Sequence, residues 1–377
     1  MWGPPPGPQN PHWGPPPFNP YGGPPAPYRQ PLYAAPPKPG IIPLRPLMFG
    51  EIMDGSFQTI RRNARAMLGA SLLAQSLAAV LTAVLTAVSA ASGGSLATWL
   101  EGLNSQDVVS VVLGFAAGTL VFAVLALFIS AVLQGAMVVP VARSVLNRRT
   151  GFRQMWALTR SRAGALMGLA GLLLVAWLLA LLLFAGIAVL LIASIGGIAA
   201  LILFPLGLLF VAALIWIYVK LLVAPAAVVI EEIGPLAAMR RSWALTTGNW
   251  WRALGLTLVV GIMVGVIAQV VMIPVSLLSV FFTGVVSPHG GPDQAVAAAV
   301  AVGVATAVIG AMVGAVGYAF QTSVMALLYL DLRMRKDGLD IALLRLLESG
   351  ADPDGLPGRG LPVYEAQPTY RAWPDVR

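Results

Sequence analysis

The sequence predicts an all-α, polytopic membrane protein, and three observations carry that prediction. Hydrophobic residues make up 58% of the chain and charged residues only 10%, whereas about a quarter of the residues in a soluble domain are charged. The mean hydropathy is +0.82. No charged residue occurs from Ala163 to Val219. One helix over that range would be about 85 Å long, nearly three times the hydrocarbon core, so the chain must fold back within it.

The chain begins with a proline-rich segment, and residues 1–43 contain 17 prolines. A segment of this composition cannot bury a hydrophobic core, so we predict a disordered cytoplasmic tail. It binds an aromatic groove on a partner protein, acts as a self-associating tether, or is a plain spacer. Residues 44–348 form the predicted membrane domain. Residues 349–377 are again rich in Gly, Pro and Asp and predict a second disordered tail.

The membrane domain opens with an amphipathic helix over residues 46–62, because Ile52 and Phe57 fall on one side and Asp54 and Arg61 on the other. Six spanning helices in three hairpins follow, with a turn at Ser194–Gly197 dividing the long uncharged run. The predicted spans cover residues 66–90, 108–141, 163–193, 198–219, 253–282 and 295–330. A short helix, Leu339–Glu348, ends the domain.

A short motif recurs along the chain. Trp156-Ala157-Leu158-Thr159 is repeated at Trp243-Ala244-Leu245-Thr246, with a fainter copy around Phe57. Each copy precedes two apolar segments, which predicts three repeats of one interfacial helix plus a helical hairpin, starting near Leu47, Gly151 and Pro235. The alternative is that interfacial helices resemble each other by composition. True repeats of this kind would be parallel and approximately threefold, each aromatic anchoring its helix to its own hairpin.

The distribution of charge predicts the orientation. The connecting segments 91–107, 194–197 and 283–294 contain no Lys or Arg. The positive-inside rule therefore places both termini and the interfacial helices in the cytoplasm of a bacterial plasma membrane. The net charge of +8 is typical of this topology and of attraction to anionic lipids, not of a nucleic-acid partner.

Two sets of residues at the cytoplasmic boundary are candidates for lipid contact. Aromatic side chains prefer the membrane–water interface, and basic side chains attract anionic headgroups. The predicted aromatic anchors are Phe57, Trp156, Trp243, Trp250 and Trp251. The predicted basic rim is Arg61, Arg62, Arg148, Arg149, Arg240, Arg241, Arg333 and Arg335.

Residues for catalysis are missing from the sequence. The chain has no cysteine, and its two histidines, His12 and His289, lie in predicted tail and loop. No metal-ligand spacing or phosphate-binding glycine loop occurs. Glu231 and Glu232 are adjacent, and we predict both to be solvated and directed apart. We therefore expect neither an enzyme nor a cofactor.

Polar residues within the predicted spans leave two alternatives open. Gln134 and Gln321 are candidates for a polar path through the bundle, which would favour a transporter or lipid translocase. The alternative is that they form hydrogen bonds between helices.

Three segments resemble one known family. They are Arg45-Pro46-Leu47 with Gly50–Gly55 and Arg61–Asn63; Gly234-Pro235-Leu236 with Arg240–Trp243 and Leu245–Thr246; and Tyr329–Arg335 with Gly338–Asp340. Together they are similar to the bacterial, mainly actinobacterial, glycerophosphoryl diester phosphodiesterase membrane domain. Some members carry a catalytic barrel after this domain, and nothing like it follows here. The resemblance therefore implies a membrane fold without the hydrolytic activity. We expect a non-enzymatic, lipid-interacting membrane module that recruits or regulates a partner.

Overall fold

The computed structural model describes residues 38–91, 105–281, 292–350, 352 and 354–359. Over these residues the protein is helical, and no strand occurs among them, which confirms the predicted all-α class. The helices are α1 (Phe49–Arg62), α2 (Ala64–Ala91), α3 (Ser105–Val145), α4 (Phe152–Thr159), α5 (Ala163–Ile195), α6 (Ala199–Leu221), α7 (Ala224–Ile230), α8 (Pro235–Thr246), α9 (Trp250–Phe281), α10 (Pro292–Asp337) and α11 (Leu339–Ser349).

Five ranges of the described chain are long and apolar enough to cross a membrane: Ala64–Val84, Leu113–Val145, Phe152–Ile230, Trp250–Leu278 and Ala301–Asp337. The third contains both α5 and α6, which are separated by a short 3-10 turn at Gly196–Ile198. Gly196 has φ of +60°, a conformation that glycine adopts without the steric cost of a Cβ. Phe184 of α5 stacks on Phe210 of α6, with 4.6 Å between ring centroids. These residues lie at similar distances before and after the turn, so the two helices run antiparallel.

Local sequence explains where the short helices begin and end. The carboxylate of Glu51 accepts the backbone N–H of Met48 at 2.7 Å, which caps the first turn of α1. Pro235 occupies the first position of α8, where its missing N–H has no cost. Gly338, with φ of +64°, separates α10 from α11. The observed α11 agrees with the predicted helix to within one residue.

The long helices contact one another in chain order. Contacts join α2 to α3, α3 to α5, α5 to α6, α6 to α9, and α9 to α10, and α10 closes the series against α2. The buried core lies towards one end of this arrangement. Residues Val132–Val145 of α3, Ala224–Ile230 of α7 and Val324–Met334 of α10 are almost entirely buried, whereas most of α5 and α6 exposes apolar side chains. Apolar exposure on this scale is typical of a surface that faces lipid.

The packed structure extends beyond the predicted domain boundaries. Ile41 and Ile42 were assigned to the N-terminal tail but are buried, and the Ile41 N–H donates to the Ser144 carbonyl at 3.3 Å. At the other end, Gly355 to Gly358 are also buried, against the prediction of disorder from Ser349. The rest of both predicted tails, residues 1–37, 351, 353 and 360–377, lies outside the described residues. So does most of the predicted loops 91–107 and 283–294.

Candidate functional site at the basic end of the bundle

A buried carboxylate joins distant parts of the chain at the end where the core lies. Asp331, near the end of α10, is 0% exposed. It accepts the backbone N–H of Leu47 at 2.7 Å and pairs with Arg252 at 3.1 Å and Arg335 at 3.0 Å. The same two arginines donate to the Leu47 carbonyl, at 2.6 and 3.0 Å. Asp331 therefore holds the segment before α1 against the start of α9.

Glu231, which follows α7, organises a second cluster. Its carboxylate accepts hydrogen bonds from Arg241 at 2.9 Å and from the Tyr329 hydroxyl at 2.7 Å. Asp337 joins the cluster through Arg241 and through Arg333 at 3.1 Å. Burial alone would lower the pKa of Arg241, but hydrogen bonds and charge from Glu231 and Asp337 raise it above its usual value. The guanidinium therefore stays charged and ties α7, α8 and α10 together.

The two adjacent glutamates have different partners. The prediction that both are solvated is wrong, since the Glu231 side chain is only 14% exposed. Glu232 pairs with Arg162 at 3.3 Å and with Arg359. The hydrogen bond from Arg359 holds the pKa of Glu232 below its usual value. Each glutamate thus binds a separate set of arginines.

Three arginines fasten the C-terminal segment to this end. Arg143 donates to the carbonyl of Gly355 at 2.8 Å, Arg333 to that of Gly358 at 3.3 Å, and Arg148 to that of Asp352 at 2.7 Å. Backbone carbonyls exist at every residue, so the sequence of this segment did not reveal its acceptors. Composition alone therefore misassigned a packed segment as a disordered one.

The predicted basic rim divides into engaged and free side chains. Arg333 is buried, Arg241 and Arg335 are ion-paired, Arg62 binds Asn147, and Arg148 binds the Asp352 carbonyl. The spacing of four residues in Asp331/Arg335 and Arg333/Asp337 was a sequence signal for pairing. Seven arginines are exposed and have no partner among the described residues. One is Arg345 of α11, and the other six, three of them not predicted, lie on or near α1, α4 and α8. This basic rim consists of Arg61, Arg65, Arg149, Arg153, Arg160 and Arg240.

The predicted aromatic anchors lie beside this rim. Phe57, Trp156 and Trp243 are each about half exposed, and Trp251 is 79% exposed. Trp250 is partly buried and packs edge-on against Trp251, with 4.7 Å between ring centroids.

Two anchors contact helices outside their own hairpin. Phe57 of α1 packs on Phe320 of α10, and Trp243 of α8 packs on Trp216 of α6. The expectation that each aromatic anchors its own hairpin is wrong for both.

The two predicted path glutamines are not brought together. Gln134 lines a cavity of about 430 Å³ between α3 and α5, with Pro225 of α7 also in its wall. The other lining residues are Leu127, Ala131, Leu166, Leu169, Ala170, Leu173, Leu174 and Trp177. Gln321 is exposed on α10 and is not part of this wall. The cavity is therefore an apolar space with a single amide and not a polar path.

Among the comparisons with known proteins, one family model matches part of the chain. Residues 171–332 match the model of a family described as a domain of unknown function (DUF7847). The match runs from α5 to near the end of α10, so it includes Glu231, Arg241, Arg252 and Asp331 but not Leu47. No curated protein and no solved structure matches the chain.

Proposed function

We propose that the protein is a non-enzymatic membrane module of the bacterial plasma membrane that engages anionic lipids and recruits or regulates a partner protein. The partition of charge at the basic end carries this proposal. Six acidic side chains are each paired with a basic one, namely Glu51, Asp54, Glu231, Glu232, Asp331 and Asp337. The basic rim remains free to act outside the fold.

The free arginines lie where a membrane surface would need them. They belong to α1, α4 and α8 or to the residues next to these helices, and the exposed aromatics Phe57, Trp156 and Trp243 stand on the same helices. Aromatic rings of this kind sit at headgroup level. Each Lys or Arg near an anionic surface contributes about 1 kcal/mol of attraction, so six arginines supply a substantial preference for anionic lipid.

Six spans in three parallel repeats are part of the proposal, with both termini cytoplasmic. The antiparallel pair α5 and α6 supports two spans within the third apolar range. In the three proposed copies a short helix precedes a long one, and each short helix starts from extended backbone, at Met48, Gly151 and Gly234. Thr159 and Thr246 both donate to the carbonyl four residues before, at 2.9 Å.

Membership of the glycerophosphoryl diester phosphodiesterase membrane domain family is also proposed. Support comes from the convergence of its three motifs, since Leu47, Arg241 and Asp331 take part in neighbouring ion-pair clusters. These contacts are structural, and none of them forms an acid–base pair facing an open site. The resemblance therefore extends to the fold and not to hydrolysis. The proline-rich N-terminal segment is the proposed site for a partner protein.

The alternative function is a transporter or lipid translocase. The cavity beside Gln134 favours this alternative, because its volume of about 430 Å³ lies within the range of about 300–1,000 Å³ typical of ligand sites. Its nearly apolar wall suits a hydrophobic molecule and not an ion. Translocation of a fluorescent phospholipid in vesicles, abolished by Gln134→Leu, would favour this alternative over the module.

The test of the module uses the full-length protein in nanodiscs of mixed phosphatidylglycerol and phosphatidylcholine. Mass spectrometry of the lipids that remain bound after detergent extraction gives the preference for the anionic lipid. We expect the triple change Arg61→Gln, Arg149→Gln and Arg240→Gln to reduce that preference severalfold. Arg345→Gln is the control, because Arg345 is exposed on α11, outside the rim. A wild-type protein with no anionic preference would refute the proposal.

A further inference from the structure

Two lysines meet at the C-terminal end of α8. Lys220, at the end of α6, is only 7% exposed. Its ammonium group lies 3.2 Å from the Thr247 hydroxyl, 5.3 Å from the Trp243 ring centroid and 5.8 Å from that of Trp216. Lys336 of α10 donates to the carbonyls of Ala244 and Thr247, both at 2.6 Å. The Thr247 hydroxyl therefore contacts the ammonium group of Lys220, and the Thr247 carbonyl contacts that of Lys336.

Within the part of the chain that the structure describes, this pair of positive charges has no carboxylate partner. Neither lysine takes part in an ion pair within the described residues, and the nearby Asp337 is paired with Arg241 and Arg333. The C-terminal end of a helix offsets about half a unit charge. Two ammonium groups at one helix end thus leave an excess of positive charge. A partly buried charge without a counter-charge is unfavourable, which makes the site selective for an anion.

The surroundings of the pair resemble the edge of a membrane. Trp216, Tyr218 and Trp243 are each about half exposed. The rings of Trp216 and Trp243 also pack around Lys220. Trp251, which is almost fully exposed, follows Thr247 by four residues. Rings with one apolar and one polar part favour the headgroup level of a bilayer. A soluble anion would gain nothing from them, whereas a phospholipid would place its acyl chains along these rings.

We propose that Lys220 and Lys336 bind the phosphate of one anionic phospholipid headgroup beside Thr247, at the cytoplasmic end of α6, α8 and α10. This site rests on the proposed function, because it requires that end to lie at a membrane surface. It differs from the basic rim in binding a single lipid at a defined place. The rim attracts many headgroups without ordering any of them.

The experiment is native mass spectrometry of the full-length protein with added phosphatidylglycerol or phosphatidylcholine. We expect one phosphatidylglycerol to remain bound to the wild type at collision energies that remove the others. Lys220→Met keeps most of the apolar stem and removes the charge, and Lys336→Gln changes an exposed side chain. Each should weaken that single adduct about tenfold. Arg345→Gln removes one positive charge elsewhere on the protein and should leave the binding of that adduct unchanged.

Further arms separate the possible outcomes. Inorganic phosphate should not displace the adduct or raise the melting temperature, and if it does both, the site binds free phosphate and the lipid assignment is wrong. If both lysine variants keep the tight adduct, Lys220 and Lys336 only join helices and the inference fails, whatever happens to their stability. A loss of all phosphatidylglycerol preference in the wild type would instead refute the proposed function.

Discussion

Asp331→Asn tests whether the buried carboxylate fastens the N-terminal segment to the bundle. The variant keeps the size of the side chain and removes its charge, so Arg252 and Arg335 lose their counter-ion and the Leu47 N–H loses a charged acceptor. Removing one partner of a buried ion pair costs about 3–5 kcal/mol. Both arginine side chains are about one-third exposed, 32% and 31%. Water can therefore solvate them, and we expect the lower value of about 3 kcal/mol.

The assay is thermal unfolding of the detergent-solubilised protein, followed by loss of the monodisperse peak in size-exclusion chromatography. At roughly 2–4 °C per kcal/mol for a large domain, the melting temperature should fall by about 6 °C or more. The same change should release the segment before α1, because Leu47 is held from both sides. Chymotrypsin should then cleave after Leu44 or Leu47 faster than in the wild type, because both side chains are buried while the segment is held.

Asp54→Asn is the matched control for this change. The Asp54 side chain is 59% exposed and lies 3.9 Å from Lys38, and exposed pairs of this kind contribute about 0–1 kcal/mol. We therefore expect almost no change in melting temperature or cleavage. If Asp331→Asn behaves like Asp54→Asn, the carboxylate does not hold the two segments together and the reasoning is refuted.

Three further predictions concern pH, chemistry and topology. The pKa of Glu232 is lowered in the folded protein, so its pairing stabilises the fold above the ordinary carboxyl pKa, and this contribution is lost as pH falls through the lower folded pKa. The difference in stability between the wild type and Glu232→Gln, measured by thermal unfolding, should therefore vanish in acid. A difference that stays constant with pH would contradict this. Purified protein with divalent metal should leave glycerophosphodiesters intact, and turnover abolished by a point mutation in this chain would overturn the non-enzymatic assignment. Because the chain has no cysteine, a single cysteine introduced at Arg61 or at Arg345 can report topology. Both should react with a membrane-impermeant maleimide only when the cytoplasmic side is accessible. Labelling of the two positions from opposite sides would reject the proposed orientation.

The helices were predictable because each depends on neighbouring residues. Apolar run length and turn residues located the division at Gly196 and the helix Leu339–Ser349 to within a residue or two. Which helices pair is a long-range property, since Leu47 and Asp331 are 284 residues apart in the chain. Periodicity shows the face that a helix buries but not the element it meets. For this reason the ion-pair clusters around Asp331 and Glu231 were not predicted.

Charge counting also failed to separate the arginines that the protein itself binds from those that stay free, for a physical reason. The count treats every arginine alike, whereas a guanidinium is available to lipid only when no protein acceptor binds it. Arg333 has Glu231, Asp337 and the Gly358 carbonyl as acceptors, while Arg240 of α8 is exposed and has no partner among the described residues. The two kinds of arginine are indistinguishable in composition. Their separation requires the positions of distant carboxylates and carbonyls.

The packing of the short helices shows how the proposed repeats depend on one another. If each repeat were an independent unit, its short helix would pack mainly on its own hairpin. Instead α4 packs on α3 and α8 packs on α6, each the second long helix of the preceding pair, and α1 packs on α10, the last helix of the chain's third pair. The pattern of contacts is cyclic, so α1 needs α10, near the other end of the described chain, to cover it. The bonds from Leu47 to Asp331, Arg252 and Arg335 lie at this closing contact. A cyclic bundle made from one chain must be closed between its first and last helices, and the Asp331 ion pairs lie at the place where that closure is made.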